Sequence, residues 1–232
     1  MSSLVGTALS KFAQRIGGFV SDATRLGQKI SGQKRNASLP LSGEALLNAE
    51  MSAQAYEPVD KRKETIGNFT YDRDISTPIH GIYVGSGVVY VAERGTNSAS
   101  EATRNWGGIA MGKEASGQRM QKLRAKIADV KRKYPNRQIK TTGHSMGGTH
   151  VRKLTQETNI PSRSFNAGSG LSEIRLAQTC SGNTKPSYCG KLTAHKILGD
   201  PASAMLTAGK VFIYDKLKSN PHTIYNFTDL EK

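Results

Sequence analysis

Gln138-Ile139-Lys140-Thr141-Thr142-Gly143-His144-Ser145-Met146-Gly147-Gly148 is the stretch that decides how this chain reads. It opens as a short strand pattern over Gln138–Thr142, passes through Gly-x-Ser-x-Gly, and runs on into a helical pattern over Gly147–Asn159. A serine in that position sits on a sharp, strained strand-to-helix turn. Side chains at Gly143 and Gly147 would collide there with neighbouring elements. The turn exposes the Ser145 hydroxyl, and the N–H groups that open the following helix face any negative charge developing beside it. An alcohol is a weak nucleophile, so the motif requires a histidine base and a carboxylate to orient that base.

In this architecture the acid and then the histidine follow the serine in the chain. Three histidines lie downstream: His150, His195 and His222. His150 is on the elbow helix itself, too near in sequence to return to the open side of the serine. His195 falls within a strand pattern, which suits a packed histidine. His222 is in a loop, Pro221-His222-Thr223, beyond the last expected strand, where a base belongs. Asp200 directly follows the strand ending Ile197-Leu198-Gly199, and functional residues gather at carboxyl ends of such strands. Asp215 also ends a strand, but Lys216 and Lys218 beside it suit a solvated residue, so Asp200 is preferred.

Working outward, a helix is expected from Gly43 to Tyr56 with Ser42 as N-cap. Ile79–Ala92 reads as a hairpin around Gly85-Ser86-Gly87. Met120, Leu123, Ile127, Val130 and Tyr134 recur at helical spacing, giving an amphipathic helix over Gln118–Tyr134 that Pro135 closes. Arg163–Asn166, Thr193–Gly199 and Lys210–Tyr214 read as further strands. Strands alternating with helices predict an α/β fold, a mostly parallel sheet flanked by helices.

These blocks resemble the class 3 lipase family of α/β-hydrolases over about residues 45–228. Val91-Ala92-Glu93-Arg94-Gly95-Thr96 is similar to the family's strand ending in an Arg-Gly-Thr/Ser turn, and Asn105-Trp106 to the Asp/Asn-Trp after it. Thr142–Gly148 resembles the nucleophile elbow, Phe165-Asn166-Ala167-Gly168 the Phe-Asn-x-Gly segment, Gly199-Asp200-Pro201 the acid block, and Pro221-His222-Thr223 with Asn226-Phe227 the histidine block. The chain looks most like the compact lipase-like proteins of large DNA viruses. The resemblance implies an α/β-hydrolase fold, with Ser145 as nucleophile, Asp200 as acid and His222 as base. It also implies an oxyanion hole made by the backbone N–H groups of Met146 and Thr96. The implied activity is hydrolysis of lipid esters, phospholipid or acylglycerol, without a cofactor. Two departures stand out. Glu93 occupies a position that is usually apolar or aromatic, and is expected to pair with Arg94 or a lysine or to alter the pocket floor. A lid would have to come from about Ser98–Ser116, which is polar and glycine-bearing.

The 232 residues suit one domain over 41–232 behind a basic segment and linker over 1–40. Leu4, Ala8, Phe12, Ile16, Phe19, Ala23, Leu26 and Ile30 line one face of a basic amphipathic helix, and residues 31–42 read as a linker. Lys11 and Arg15 interrupt what would be the apolar core of a secretory signal, and no apolar run approaches the ~20 residues of a spanning helix. This leaves a peripheral membrane or virion location open. The net charge of +15 is concentrated. Residues 111–153 hold twelve Lys and Arg against two acids, and residues 1–40 hold six against one. Such blocks suit an anionic partner, phospholipid or nucleic acid. A nucleic-acid- or membrane-binding protein on a hydrolase scaffold, without enzymatic activity, is therefore the competing reading, and oligomeric state is not legible. Cys180 and Cys189 are too few for a four-ligand zinc site, there is no metal-ligand spacing or phosphate loop, and the pair suits a disulfide or free thiols equally.

Overall fold

The computed structural model describes residues 34–35, 41–97, 117–200, 202–215 and 218–228. In chain order the elements are β1 (Lys34–Arg35), α1 (Gly43–Gln54), β2 (Thr65–Ile66), β3 (Phe69–Tyr71), β4 (His80–Val84), β5 (Val88–Glu93) and α2 (Gln118–Lys133). There follow β6 (Gln138–His144), α3 (Met146–Thr158), β7 (Ser162–Phe165), α4 (Leu171–Ser181), β8 (Leu192–Ile197) and β9 (Lys210–Tyr214). The strands form one sheet in the order β1-β9-β8-β7-β6-β5-β4-β3-β2. From β5 through β9 to β1 every pair is parallel. The β2 to β5 side is antiparallel.

Alternation along the strands determines what covers each face. On β5, Val89 and Val91 point into a cluster with Met120, Leu123, Ile127 and Val130 of α2 and Val151 and Leu154 of α3. Tyr90 and Ala92, their neighbours in sequence, point the other way and pack with Met51 and Ala55 at the end of α1. Further along that second face, Ala49 and Ala53 of α1 meet Phe165, Ile197, Tyr214 and Phe227. The sheet is thus buried between α2 and α3 on one side and α1 on the other, the arrangement of an α/β-hydrolase-like fold. Each fully buried Leu, Ile or Val contributes roughly 1.5–3 kcal/mol relative to an exposed one.

Several expectations change in detail. The elbow strand continues past Thr142 to His144, because Gly143 and His144 pair in register with Ser164 and Phe165 of β7. The elbow helix begins at Met146 and ends at Thr158, with Asn159 in the left-handed conformation at φ 59°. Ser42 precedes α1, but its side chain makes no capping hydrogen bond. Residues 34–35, inside the stretch read as linker, pair in parallel with β9. Helix α4 was not legible, since Leu176 and Ala177 alone mark its buried apolar face. Cys180 at its end is joined to Cys189 by a disulfide. The N-terminal amphipathic pattern, Asn105-Trp106, the 98–116 stretch and Pro201 lie outside the described residues. Among the described residues no helix is long and apolar enough to cross a membrane.

Candidate active site

Five parallel strands, β5 to β9, end at one edge of the sheet, and their carboxyl ends deliver the site. Ser145 stands between β6 and α3 at φ 55°, ψ −124°, a strained conformation for a residue with a side chain. The turn closes tightly, since a Cβ on Gly147 would overlap the Glu93 carbonyl of β5. Gly95, beside the turn, has no room for one either, because it would meet the Tyr56 hydroxyl.

His222 Nε2 lies 2.8 Å from Ser145 Oγ, and His222 Nδ1 lies 2.9 Å from Asp200 Oδ1. Only a protonated Nδ1 can serve a carboxylate, so Nε2 is the acceptor for the serine hydroxyl. Asp200 is 2% exposed. Burial by itself pushes its carboxyl up, but the imidazole of His222, the Ser203 hydroxyl at 2.6 Å and the Ala202 N–H at 3.1 Å outweigh it. The net result lies below the usual carboxylate range, and Asp200 is ionised near neutrality. Asp215 is exposed and takes no part. The structure therefore brings Ser145, Asp200 and His222 together in the order the sequence suggested.

The loop that carries His222 is fastened from three directions. Asn166, at φ 41° just beyond β7, donates from Nδ2 to the Pro221 carbonyl at 2.9 Å and accepts the Ile197 N–H at 2.9 Å. Asn226 Nδ2 donates to the Asn220 carbonyl at 2.9 Å. His144 Nε2 lies 2.7 Å from the His222 carbonyl. A carbonyl only accepts, so the proton of His144 is on Nε2 and its Nδ1 accepts from the Tyr56 hydroxyl at 2.7 Å. Tyr56 Oη in turn accepts the Gly95 N–H at 3.0 Å. A hydrogen-bonded strap thus runs from the Gly95 turn to His222. Burial and the neighbouring His222 hold the His144 imidazole down at about 3, so it stays neutral and the strap keeps one polarity. Neither Tyr56 nor His144 was singled out from sequence. His144 occupied a variable position of the motif, and only its Nε2 and Nδ1 contacts reveal a role.

Thr96 is half-buried, with its hydroxyl 3.8 Å from Met146 Sδ. Met146 opens α3, so its N–H is one of the leading donors without an intrahelical acceptor. Glu93 corrects the expected pairing, because it pairs with neither Arg94 nor a lysine. Its carboxylate is fully buried and accepts from His150 Nδ1 at 2.8 Å and Arg119 Nη2 at 3.2 Å. Burial pushes Glu93 up, while His150 and Arg119 more than offset it and keep it ionised. His195 is packed as expected, stacked between Phe165 and Phe212 with Nδ1 2.7 Å from the Tyr214 hydroxyl. No group of three or more His, Cys, Asp or Glu suited to a metal occurs among the described residues.

Chemically, the arrangement can lend the Ser145 proton to His222 and hold the resulting imidazolium against Asp200. No protein-family model matches the chain. No curated protein matches it. Among solved structures, it is similar to a fungal lipase–inhibitor complex described as a model for interfacial activation in lipases. That likeness has 12% identity, covers 66% of this chain and 69% of the other, and has a TM-score of 0.43.

Proposed function

We propose that this chain is a serine carboxylester hydrolase acting on lipid esters, phospholipid or acylglycerol. The observation that carries the reading is the continuous contact from Ser145 Oγ through His222 to the buried Asp200 carboxylate, mounted on a strained strand-to-helix turn. Ser145 Oγ attacks the ester carbonyl while His222 Nε2 takes its proton. The tetrahedral oxyanion accepts from the N–H groups of Met146 and Thr96. Its collapse expels the alcohol, protonated by His222, and leaves an acyl group on Ser145. Water, deprotonated by His222, then releases the acid and restores the serine.

A lipid rather than a small soluble ester is favoured by what lies around the site. Leu171 and Leu198, at 43% and 48%, are the exposed large hydrophobic side chains among the described residues. They sit on the segments that follow β7 and β8, at the same carboxyl edge as Ser145. Those two segments are tied to one another through Ser169, whose N–H and hydroxyl both donate to the Ala202 carbonyl. We propose an apolar rim there that meets the acyl chains or the lipid surface.

The test uses the full chain on a short nitrophenyl ester and on mixed phospholipid and triacylglycerol vesicles. Hydrolysis of both, absent in Ser145→Ala, is expected, with a fluorophosphonate labelling Ser145 in the parent only. Undiminished hydrolysis in Ser145→Ala would sink the assignment. Activity on the soluble ester alone would overturn the choice of lipid.

A further inference from the structure

We infer that Arg119, at the start of the basic helix α2, is a positioning residue that aims and polarises the Thr96 N–H. The inference rests on the proposed role of Thr96 as an oxyanion donor. The guanidinium reaches inward from α2, with its side chain 11% exposed, and makes three contacts on one turn of chain. Nη1 donates to the Gly95 carbonyl at 3.3 Å. Nη2 donates to the Arg94 carbonyl and, at 3.2 Å, to the Glu93 carboxylate. Two successive carbonyls and the acid that ends β5 are therefore gathered by one planar fork. A lysine ammonium, a point charge with no fixed fork, does not reproduce that geometry.

The Gly95 carbonyl and the Thr96 N–H belong to the same peptide unit. That unit is planar and trans, so its C=O and N–H point in opposite directions. Holding Gly95 O on Arg119 therefore fixes the direction of the Thr96 N–H away from α2. The preceding unit is held at both ends, with its carbonyl, that of Arg94, on Arg119 and its N–H, that of Gly95, on the Tyr56 hydroxyl. With both units held, the Thr96 donor has no freedom to swing when charge appears on the substrate. A carbonyl that accepts from a cation also makes its own N–H a stronger donor, because hydrogen bonds in a chain polarise one another. Preorganised donors of this kind act on the transition state and leave ground-state binding unchanged.

Glu93 explains why an arginine can be kept in this buried place. Its carboxylate, ionised and shared with His150, balances the guanidinium. The acidic residue that departs from the apolar pattern of similar sequences is thus the counter-ion of the positioning arginine.

The test compares Arg119→Lys and Arg119→Met with Arg124→Met, a change further along α2 that removes the surface pair with Glu157 of α3. Rates are read on the nitrophenyl ester, and affinity on a trifluoromethyl ketone, whose hemiketal adduct with Ser145 Oγ carries an oxyanion on the former ketone oxygen. Losing one oxyanion donor costs about 10²–10³ in rate, so a donor left in place but unaimed is expected to cost about tenfold to a hundredfold in kcat. KM should stay within about twofold, and the affinity for the ketone should fall in the same ratio as kcat. Arg119→Lys keeps the charge beside Glu93, so it is expected to fold as the parent does and still to lose kcat. Arg124→Met should leave kcat and ketone affinity unchanged. If Arg119→Lys, folded and with an unchanged melting temperature, retains parental kcat and ketone affinity, Arg119 does not position the donor. A rise in KM with kcat unchanged would overturn it equally. Failure of the serine mechanism itself would appear separately, as activity surviving Ser145→Ala.

Discussion

In and beside the parallel strands Glu93, His144, His195 and Asp200 are each at most 5% exposed, and every one has a hydrogen-bond partner from another element or loop of the chain. On the outer face of α2 the charges are more numerous and far more exposed. Arg124 meets Glu157, Lys126 and Arg132 share Asp129, and Lys133 meets Asp72 and Asp74. Lys122 and Lys131 are exposed without an acidic partner among the described residues. Ion pairs at such a surface contribute little, typically 0–1 kcal/mol, and salt screens them. Buried charges act in a lower dielectric and decide protonation states and geometry. The difference teaches that the excess of positive charge belongs to a surface, whereas the buried charges here are single carboxylates answered by specific donors. Arg119 makes the point within one helix, since it turns inward to the site while Arg124 turns outward.

The comparison breaks most sharply if the buried edge tolerates loss of a charge. Asp200→Asn keeps the shape and removes the carboxylate that fixes the His222 tautomer, and should lower kcat on the nitrophenyl ester by about 10³–10⁴. A loss of less than tenfold would mean that the buried acid is not what orients the base.

A smaller effect belongs to the strap. Tyr56→Phe leaves the Gly95 N–H and His144 Nδ1 without the hydroxyl that joins them. One such hydrogen bond is worth about 1 kcal/mol net, so kcat should fall about five- to tenfold with KM held. Parental kcat in this variant would show that the two halves of the site stay aligned without the strap.

Acid stability sharpens the same contrast. Burial holds His80, 1% exposed and paired across the strands with Glu93, down at about 4, below its ordinary 6.5. The unfolded chain therefore binds a proton there between pH about 6.5 and 4 that the folded chain refuses, and stability falls as pH falls through that window. His144 acts in the same direction. His80→Gln removes its own share, on the order of 2 kcal/mol at the acid end. In urea unfolding, parent and variant stabilities should therefore converge towards the variant's favour as pH drops from 7 to 4.5. A gap independent of pH would show that His80 is not the group being titrated.

The smallest effect is expected at the surface. Lys122→Glu with Lys131→Glu should change soluble-ester kcat by less than about twofold, because neither side chain reaches the edge. Binding to vesicles rich in anionic phospholipid should weaken by about 1 kcal/mol per site in low salt and scarcely at all in high salt. Equal weakening on neutral vesicles would remove charge as the cause.

How much of this was legible varied with the kind of signal. Val89, Val91, Met120, Leu123, Ile127 and Val130 announced a hairpin strand and an amphipathic helix, because period two and period 3.6 are local properties of a chain. The elbow was legible for a similar reason, since Gly143, Ser145 and Gly147 carry the steric demand of the turn in their own side chains. Asp200 and His222 followed from chain order and strand ends. The extension of β6 to His144 and the short β2 and β3 were not legible, as they depend on partners across the sheet.

The sequence by itself determined that there is a strand-turn-helix with a serine at the turn, which acid and histidine meet it, and where the positive charge is concentrated. Those are matters of local sterics, order and composition. The folded chain leaves Ser145 only 4% exposed, not open to solvent as its turn suggested. Only the tertiary structure decided that Glu93 answers Arg119 and His150, that His144 and Tyr56 join the two sides of the site, and that Arg119, Arg124 and Lys133 of α2 are met by acids elsewhere in the chain. These depend on which distant side chains burial brings within about 3 Å, and hydrogen bonds fall off steeply beyond that reach.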